Sequence, residues 1–278
     1  MNVMLFSSIL FAVSIVAGLV GSLTGLGGGV VLIPVLTLLF KVDIHYAIGT
    51  SLISVIATSS GAAAAYVKEG ISNIRLGIFL ELATTIGAIT GAFLATFIST
   101  SMIAIIFGII LIFSSITSMI KRTDHVVVGD KDDLAHRLKL NNSFPSEPGN
   151  IDYSVKNIPG GFVMMNIAGI ISGLLGIGSG ALKVIAMDNI MRVPFKVSTS
   201  TSNFMIGVTA AASAGIYLKR GYIDPGLSMP VVLGVLIGAF IGSRFLFVVR
   251  TATLKLLFAF VILILAVEMI YNGATHNI

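Results

Sequence analysis

Two glycine clusters set in apolar sequence are the residues of this chain best suited to bind a small ligand. The first is Gly25-Leu26-Gly27-Gly28-Gly29 and the second is Gly176-Ile177-Gly178-Ser179-Gly180. They lie 151 positions apart, and the same spacing relates residues far beyond the glycines. This ungapped match indicates an internal duplication, which has to be recognised before any fold is assigned.

Each glycine cluster is followed by an apolar piece, 30–40 and 181–191, that is too short to cross a membrane as a helix. A helix that begins at such a break leaves its first N–H groups without partners and directs the positive end of its dipole toward them. Two such N-termini facing one cavity would bind an anion, and paired breaks in a duplicated membrane protein indicate a transporter's binding site. The candidate residues at the breaks are Gly27, Gly28, Gly29, Gly178, Ser179 and Gly180.

The glycine clusters are also compatible with two alternative roles. Small residues allow membrane helices to pack closely, and the glycines would then serve packing alone. A nucleotide-binding loop has a similar glycine-rich sequence, but it requires a strand before the loop within a βαβ unit. No such strand is predicted here.

Hydroxyl and amide side chains follow both breaks at matching positions. Thr50-Ser51 corresponds to Thr201-Ser202 at the 151-residue spacing, and Asn203 follows the second pair. These groups can donate hydrogen bonds to anion oxygens in a dry site. Alternatively, Ser and Thr in membrane helices bond to their own backbone carbonyls.

Lys183 is a charged residue inside an apolar run, three residues after Gly180, and its counterpart in the first half is Leu32. An ionisable residue at that depth is a candidate functional group. We expect it to bind an anionic substrate, to pair with Asp188, or to extend toward an interface. Glu81 also lies in an apolar segment, and its position predicts a place near the membrane interface.

Composition places the chain in the membrane. Of its 278 residues, 56% are hydrophobic and 10% are charged, against roughly 25% charged in soluble domains. There is no Cys, none of the four His forms a metal-ligand pair, and no cofactor is expected. The net charge of +5 is consistent with loop charges that orient the protein in lipid, and nucleic acid is not an expected partner.

The predicted fold is an all-α polytopic membrane protein made of two homologous repeats. Residues 1–120 and 159–278 are the repeats, and each contains four long apolar helices and one short glycine-broken piece. The long segments are 3–24, 46–67, 76–98, 102–120, 160–177, 197–218, 226–249 and 252–271. Residues 121–158 form a polar linker with a short helix near 131–140, and its Lys and Arg content predicts the cytoplasmic side.

The relative direction of the repeats depends on the short pieces. Four spans in each half would make the halves parallel, and five would make them inverted. We favour eight full spans and therefore parallel halves. The sequence does not indicate an oligomeric state.

The chain resembles the sulfite exporter TauE/SafE family. The resemblance rests on Gly-Leu-Gly-Gly-Gly followed by Pro34, on Ala47-Ile48-Gly49-Thr50-Ser51-Leu52, and on the segment from Gly61 to Gly70 that ends in Lys-Glu-Gly. Degenerate second copies and the polar linker complete the pattern, which covers nearly the whole chain.

The resemblance implies secondary transport of sulfite or small organosulfur acids such as sulfoacetate across the cytoplasmic membrane, most often as export. No ATP-binding loop is present, so an ion gradient, and first of all protons, would drive uphill transport. The alternatives are an anion channel, a membrane scaffold without a ligand, or an intramembrane enzyme. The enzyme is disfavoured because the chain lacks Cys, a His–Glu metal motif and an evident Ser–His pair.

Overall fold

The structure, a computed structural model, describes residues 3–24, 28–68, 70–119, 133–146, 149–245 and 251–276. Within these residues eight helices have 18 residues or more, in agreement with the eight predicted long segments. They are α1 (Val3–Thr24), α3 (Ile44–Lys68), α4 (Ile74–Leu94), α5 (Thr100–Met119), α7 (Ile158–Leu175), α9 (Phe195–Lys219), α10 (Pro225–Phe245) and α11 (Thr251–Ala274).

The two short apolar pieces are also helical. They are α2 (Gly29–Pro34) and α8 (Gly180–Ile185), and each continues into a five-residue π-helical turn, Val35–Leu39 and Ala186–Ile190. Each piece is about 16 Å long, roughly half of the hydrocarbon core of a bilayer. The helices α2, α3 and α4 and their counterparts α8, α9 and α10 begin and end 151 residues apart.

Three of the described helices are long and apolar enough to cross a membrane by themselves: Ile74–Leu94, Thr100–Thr117 and Ile158–Leu175. Shorter apolar helical stretches are Met4–Leu19, Gly29–Leu39, Pro225–Ile241 and Ala259–Ala274. The helices α3 and α9 are rich in Ser and Thr, and they pack against each other. Most of the hydroxyls on α9 are buried, as expected for a helix surrounded by protein.

The linker is partly folded and packs on the membrane helices. It contains α6 (Asp133–Arg137), where the short helix was predicted, and an antiparallel hairpin of β1 (Asn142–Ser146) and β2 (Gly149–Tyr153). Asn73, which caps the start of α4, donates from Nδ2 to Tyr153 Oη and to the carbonyl of Leu140, both at 2.8 Å. The hairpin was not predicted.

These contacts define one end of the bundle, which we call the linker end. The linker shares a buried apolar cluster with Leu76 of α4, Met191 after the second π-helical turn, and Val197 of α9. The N–H of Lys156, just before α7, donates to the carbonyl of Met191 at 2.9 Å. Therefore α4, α7 and α9 begin at the linker end, and the piece that starts with α8 ends there.

We call the opposite end of the bundle the far end. There the starts of α1 and α3 lie close to the residues that follow α4 and the first π-helical turn. His45 Nε2, at the start of α3, lies 3.3 Å from the carbonyl oxygen of Ala95, which follows α4. The rings of Phe6 in α1 and Phe40 after the first π-helical turn are 5.4 Å apart. Therefore α1 and α3 begin at the far end, and the piece that starts with α2 ends there.

The matched helices α3 and α9 thus run in opposite directions, which corrects the expectation of parallel halves. Each short piece returns the chain to the end where the preceding long helix began. The long helix and the short piece together give no net crossing, so three net crossings remain in each half. The sequence could not decide this, because the length of an apolar piece does not show which way it runs.

Close backbone packing joins helices from different halves. The helix α1 packs along α10, and α4 packs along α7. A β-carbon at Gly18 would overlap the carbonyl of Val235, and one at Gly169 would overlap the carbonyl of Thr84. Only glycine allows such an approach, so these two glycines serve helix packing.

Candidate functional site

The second glycine break has a backbone that its sequence explains. Gly176 and Gly178 have φ angles of 67° and 71°, which are readily adopted by glycine. Gly176 ends α7, and Ser179 precedes α8 with a φ of 47° and no side-chain cap. A non-glycine residue in this left-handed conformation is strained by roughly 1–2 kcal/mol.

The two breaks meet in the structure. A β-carbon added at Gly29 would lie 3.1 Å from the carbonyl oxygen of Gly176 and 3.3 Å from Val55 Cγ2. One added at Gly178 would lie 3.3 Å from the other methyl group of Val55. The starts of α2 and α8 therefore approach each other across one side chain of α3. Gly28 is buried next to Gly29, whereas Gly27 lies outside the described residues.

A small cavity of about 20 Å³ lies between the starts of the two short helices, with room for roughly one water molecule. Val30 of α2, Ser179 and Gly180 line it together with Ser114 and Phe113 of α5. Ser179 is 3% exposed, and its hydroxyl has no hydrogen-bond partner among the described residues. The cavity therefore offers an unused buried hydroxyl beside a helix start whose first N–H groups lack acceptors within the helix.

The paired hydroxyls differ in where they lie. Ser51 donates to the carbonyl of Gly176 at 2.8 Å, and Ser202 donates to the carbonyl of Gly180 at 3.2 Å, so both contact the second break. Thr50 lies 3.5 Å from Ser228 of α10, and Thr201 accepts from the N–H of Asn73 at the start of α4.

Thr50 and Thr201 therefore join helices at opposite ends of the bundle, and the structure does not bring them to the glycine breaks. Asn203 is half-buried, and its side chain forms no hydrogen bond to the part of the chain that the structure describes. Of the five hydroxyl and amide candidates, only Ser51 and Ser202 contact a glycine break in the part of the chain that the structure describes.

Lys183 is fully buried and belongs to a chain of three polar side chains. Its Nζ donates a hydrogen bond to Thr209 Oγ1 at 2.5 Å. The hydroxyl of Thr209 in turn donates to Glu81 Oε1 at 2.6 Å. Lys183 Nζ lies 3.9 Å from Glu81 Oε2, which has no hydrogen-bond partner among the described residues. Because Thr209 lies near the middle of the 25-residue α9, the group sits deep in the bundle.

This arrangement corrects two expectations. Lys183 pairs with Glu81 and does not extend to an interface, and Glu81 is 7% exposed within the bundle. The interfacial placement of Glu81 was inferred from its distance to the start of its segment, but α4 is covered there by α7 and α9. Sequence reasoning missed Glu81 and Thr209, although a buried lysine in lipid requires a buried acid.

The ionic group has no charged counterpart at the 151-residue spacing, although the boundaries of several helices recur at that spacing. At the 151-residue spacing, the counterparts of Lys183, Thr209 and Glu81 are Leu32, Thr58 and Val232. The hydroxyl is present in both copies and the two charges only in one. Among the described residues there is no group of three His, Cys, Asp or Glu side chains that could hold a metal ion.

Comparisons with known proteins show the family of the chain. The family model of the sulfite exporter TauE/SafE matches residues 10–269. The chain is 28% identical over 274 residues to the probable membrane transporter protein YunE of Bacillus subtilis (strain 168), covering 95% of this chain and 97% of the relative. It is 26% identical over 253 residues to the probable membrane transporter protein YdhB of the same strain, covering 91% and 94%.

A probable membrane transporter protein of Haemophilus influenzae is 26% identical over 255 residues, which cover 87% of each chain. No solved structure matches. The relatives are membrane transporters and not enzymes, and the helices are those of a multi-pass protein of the cell membrane. With its family model spanning nearly its whole length, the chain belongs to the sulfite exporter TauE/SafE family of membrane transporters.

Proposed function

We propose that this protein is a secondary transporter that exports sulfite or a small organosulfur or organic anion, with transport coupled to protons. The observation that carries this proposal is the meeting of two glycine-broken helix starts at one small cavity. A small anion is the ligand that such a place favours, because the free N–H groups and helix dipoles there are all electropositive.

Ser179 supports an anion at the cavity. Its buried hydroxyl is without a partner among the described residues, and a buried polar group without a hydrogen bond is unfavourable unless a ligand or water supplies one. The cavity has room for roughly one water molecule, so it does not accommodate any of the proposed anions. Binding would therefore require the starts of α2 and α8 to separate, as expected for a carrier that opens and closes around its substrate.

The proposed carrier consists of two repeats in inverted orientation. Two observations support this: the helix boundaries repeat at 151 residues, and α3 and α9 start at opposite ends of the bundle. Inverted repeats allow alternating access, because each half can adopt the conformation of the other and so expose the midplane site to the opposite side.

The linker end is proposed to be cytoplasmic. Among the residues that the structure describes, nine Lys and Arg residues belong to segments at that end, namely Lys68, Arg75, Arg137, Lys139, Lys156, Arg192, Lys196, Arg244 and Lys255. Three lie in the far-end segments 40–45 and 219–225. Cytoplasmic segments of membrane proteins carry this excess of Lys and Arg.

The proposal is tested by thermal unfolding of the purified protein with a panel of anions. The panel contains sulfite, sulfoacetate, methanesulfonate, thiol-containing dicarboxylates, sulfate and simple carboxylates. A ligand that binds only the folded protein raises its stability by mass action, so we expect a sulfur-containing anion to raise the unfolding temperature. Ser179→Ala and Lys183→Ala should reduce this rise while the proteins remain folded.

Flux in proteoliposomes then separates a carrier from a channel. A carrier exchanges anions across the membrane and saturates, whereas a channel conducts current without exchange. If no anion of the panel stabilises the protein or crosses the membrane, the proposed function is wrong. If the two variants respond to the anion as the wild type does, the site is elsewhere.

A further inference from the structure

The buried group of Lys183, Thr209 and Glu81 has one charge of each sign and lies apart from the residues that line the cavity. Burying an ion pair is often no more stable than packing apolar residues of the same volume. The equivalent positions in the other half demonstrate that the fold accommodates apolar residues at both charged positions, since Leu32 and Val232 occupy them. The ion pair is therefore not needed to hold the helices together.

Thr209 can satisfy Glu81 in two protonation states. Its single hydroxyl proton has two acceptors within reach, Glu81 Oε1 at 2.6 Å and the carbonyl of Met205 at 3.0 Å. When Glu81 is ionised, Thr209 donates to it. When Glu81 is protonated, its own O–H can donate to Thr209, whose hydroxyl then turns to Met205. Adding one proton therefore leaves Thr209 and the Oε1 atom of Glu81 hydrogen-bonded, and Thr85 Oγ1 also donates to this Oε1 at 3.3 Å.

A proton on Glu81 changes the balance of charge around Lys183. With Glu81 ionised, the ammonium and the carboxylate neutralise each other at 3.9 Å. With Glu81 protonated, Lys183 retains a positive charge that a dry site cannot hold without an anion. Lys183 follows directly after Leu182, which lines the cavity, so its flexible side chain is carried by the helix that forms the cavity.

Within the described helices that pack on α4, no other ionisable side chain faces Glu81. The helix α7 has none over Ile158–Leu175, and those of α9 (Lys196, Tyr217 and Lys219) lie toward its two ends. On α4 itself, Arg75 lies at the first turn, and the π-helical turn after α8 carries a second buried acid, Asp188. Glu81 is thus the acid that directly balances Lys183.

We propose that Glu81, Thr209 and Lys183 form the coupling site, where protonation of Glu81 frees Lys183 to bind the anion so that one proton crosses together with each anion. This inference rests on the proposed function. The charges balance: the empty site holds a carboxylate and an ammonium, and the loaded site holds a carboxylic acid, an ammonium and a monovalent anion. Transport of a monovalent anion is then electroneutral, and the anion is exported when its outward gradient exceeds the inward proton gradient.

The test uses the full-length protein in proteoliposomes with a pH-sensitive dye inside. The probes are radiolabelled methanesulfonate, which stays monovalent near neutral pH, and radiolabelled sulfite, with protein-free liposomes as the blank for leak. For the wild type we expect protons to move in the same direction as the anion. Its anion affinity should fall as the pH rises, because one proton binds with the anion.

Glu81→Gln keeps the hydrogen bonds of a protonated acid but cannot release a proton. It should bind the anion independently of pH, retain anion-for-anion exchange and lose proton movement. The matched control is Glu268→Gln, which neutralises an exposed carboxylate on α11 and should behave as the wild type. Thr209→Val removes the hydroxyl that donates to Glu81 and should shift the pH dependence, whereas Thr209→Ser should keep it. This pair preserves the test if Glu81→Gln does not fold.

The outcomes separate this inference from the proposed function. If the wild type transports neither probe, the proposed function fails and the coupling site fails with it. If the wild type transports an anion without proton movement, or if Glu81→Gln keeps the pH dependence and proton flux of the wild type, the coupling site is wrong while the transporter remains.

Discussion

Ser51 in α3 donates a hydrogen bond of 2.8 Å to the carbonyl oxygen of Gly176, which joins the first half of the chain to the glycine break of the second. Both groups are buried at the place where α7 ends. The carbonyl belongs to a residue with a positive φ, so its direction is fixed by an unusual backbone conformation. Ser51 therefore holds the second break in the position at which it meets the first.

Ser51→Ala should destabilise the protein by about 1–3 kcal/mol, because it leaves the buried carbonyl of Gly176 without this donor. It should also weaken anion binding, because the start of α8 is then less well positioned. Ser60→Ala is the control, since Ser60 is exposed and donates to the carbonyl of Ile56 in its own helix. Equal thermal unfolding temperatures for the two variants would contradict the role of Ser51.

Ser179→Gly should have opposite effects on stability and binding. Glycine adopts the φ of 47° without strain, and it is the residue at the equivalent position 28 of the first half, so the ligand-free protein should gain about 1 kcal/mol. The same change removes the buried hydroxyl, so the anion should bind more weakly. Denaturant unfolding and anion titration measure the two effects, and a variant that binds as tightly as the wild type would remove Ser179 from the site.

Gly169→Ala should separate α4 from α7, because the added methyl group overlaps the carbonyl of Thr84. We expect a loss of about 1–3 kcal/mol, as for other overpacked contacts. Gly215→Ala in α9 is the matched control, since a β-carbon there meets nothing within 4 Å among the described residues. The control should be neutral or slightly stabilising, because alanine favours a helix over glycine. The packing role of Gly169 would be refuted by two variants of equal stability.

Tyr153 should make the docking of the linker sensitive to strongly alkaline pH. Burial raises the pKa of Tyr153 from 10.0 to about 12, so the folded protein keeps its proton where the unfolded chain has lost it. The resulting stability is complete below pH 10 and is lost as the pH rises from 10 to about 12. In Tyr153→Phe this part of the loss should be absent. Urea unfolding of both proteins across this range measures it, and parallel curves would exclude the effect.

The orientation of the bundle can be measured directly, because the chain has no Cys. We expect a membrane-impermeant thiol reagent to label Arg220→Cys at the far end in intact cells. Arg137→Cys at the linker end should be labelled only after the cells are opened. Both side chains are exposed, and the wild type without Cys serves as the blank. The reverse pattern would place the linker outside and overturn the proposed orientation.

The sequence predicted the parts of this fold that depend on local composition. A bilayer requires a helix of a certain length, and this requirement predicted the long apolar segments and the two short pieces after the glycines. In the structure these are the helices α1 to α5 and α7 to α11. The hairpin was missed because Pro145 and the polar residues around it are typical of loops. It forms because Phe144 and Tyr153 have apolar membrane-helix side chains to pack on.

The pairing of Glu81 with Lys183 could not be predicted in the same way. The two residues are far apart in the sequence, and each has several nearer candidates for a partner, such as Asp188. Only the packing of α8 and α4 around α9 brings them to one hydroxyl. A rule that every charge inside apolar sequence must be compensated would have suggested the pair, because Lys183 and Glu81 are both deep in such segments.

The contact between Gly18 and Val235 also limits how early the protein can finish folding while it is being synthesised. The two residues are separated by 217 positions, so the glycine face of α1 enters the membrane long before α10 is made. At ordinary rates of translation this delay is on the order of 10 to 40 seconds. Throughout that time lipid or an insertion factor must cover the groove that α10 will fill. A chain that stops before residue 225 would leave α1 permanently without its partner, and the cell's membrane proteases would be expected to remove it.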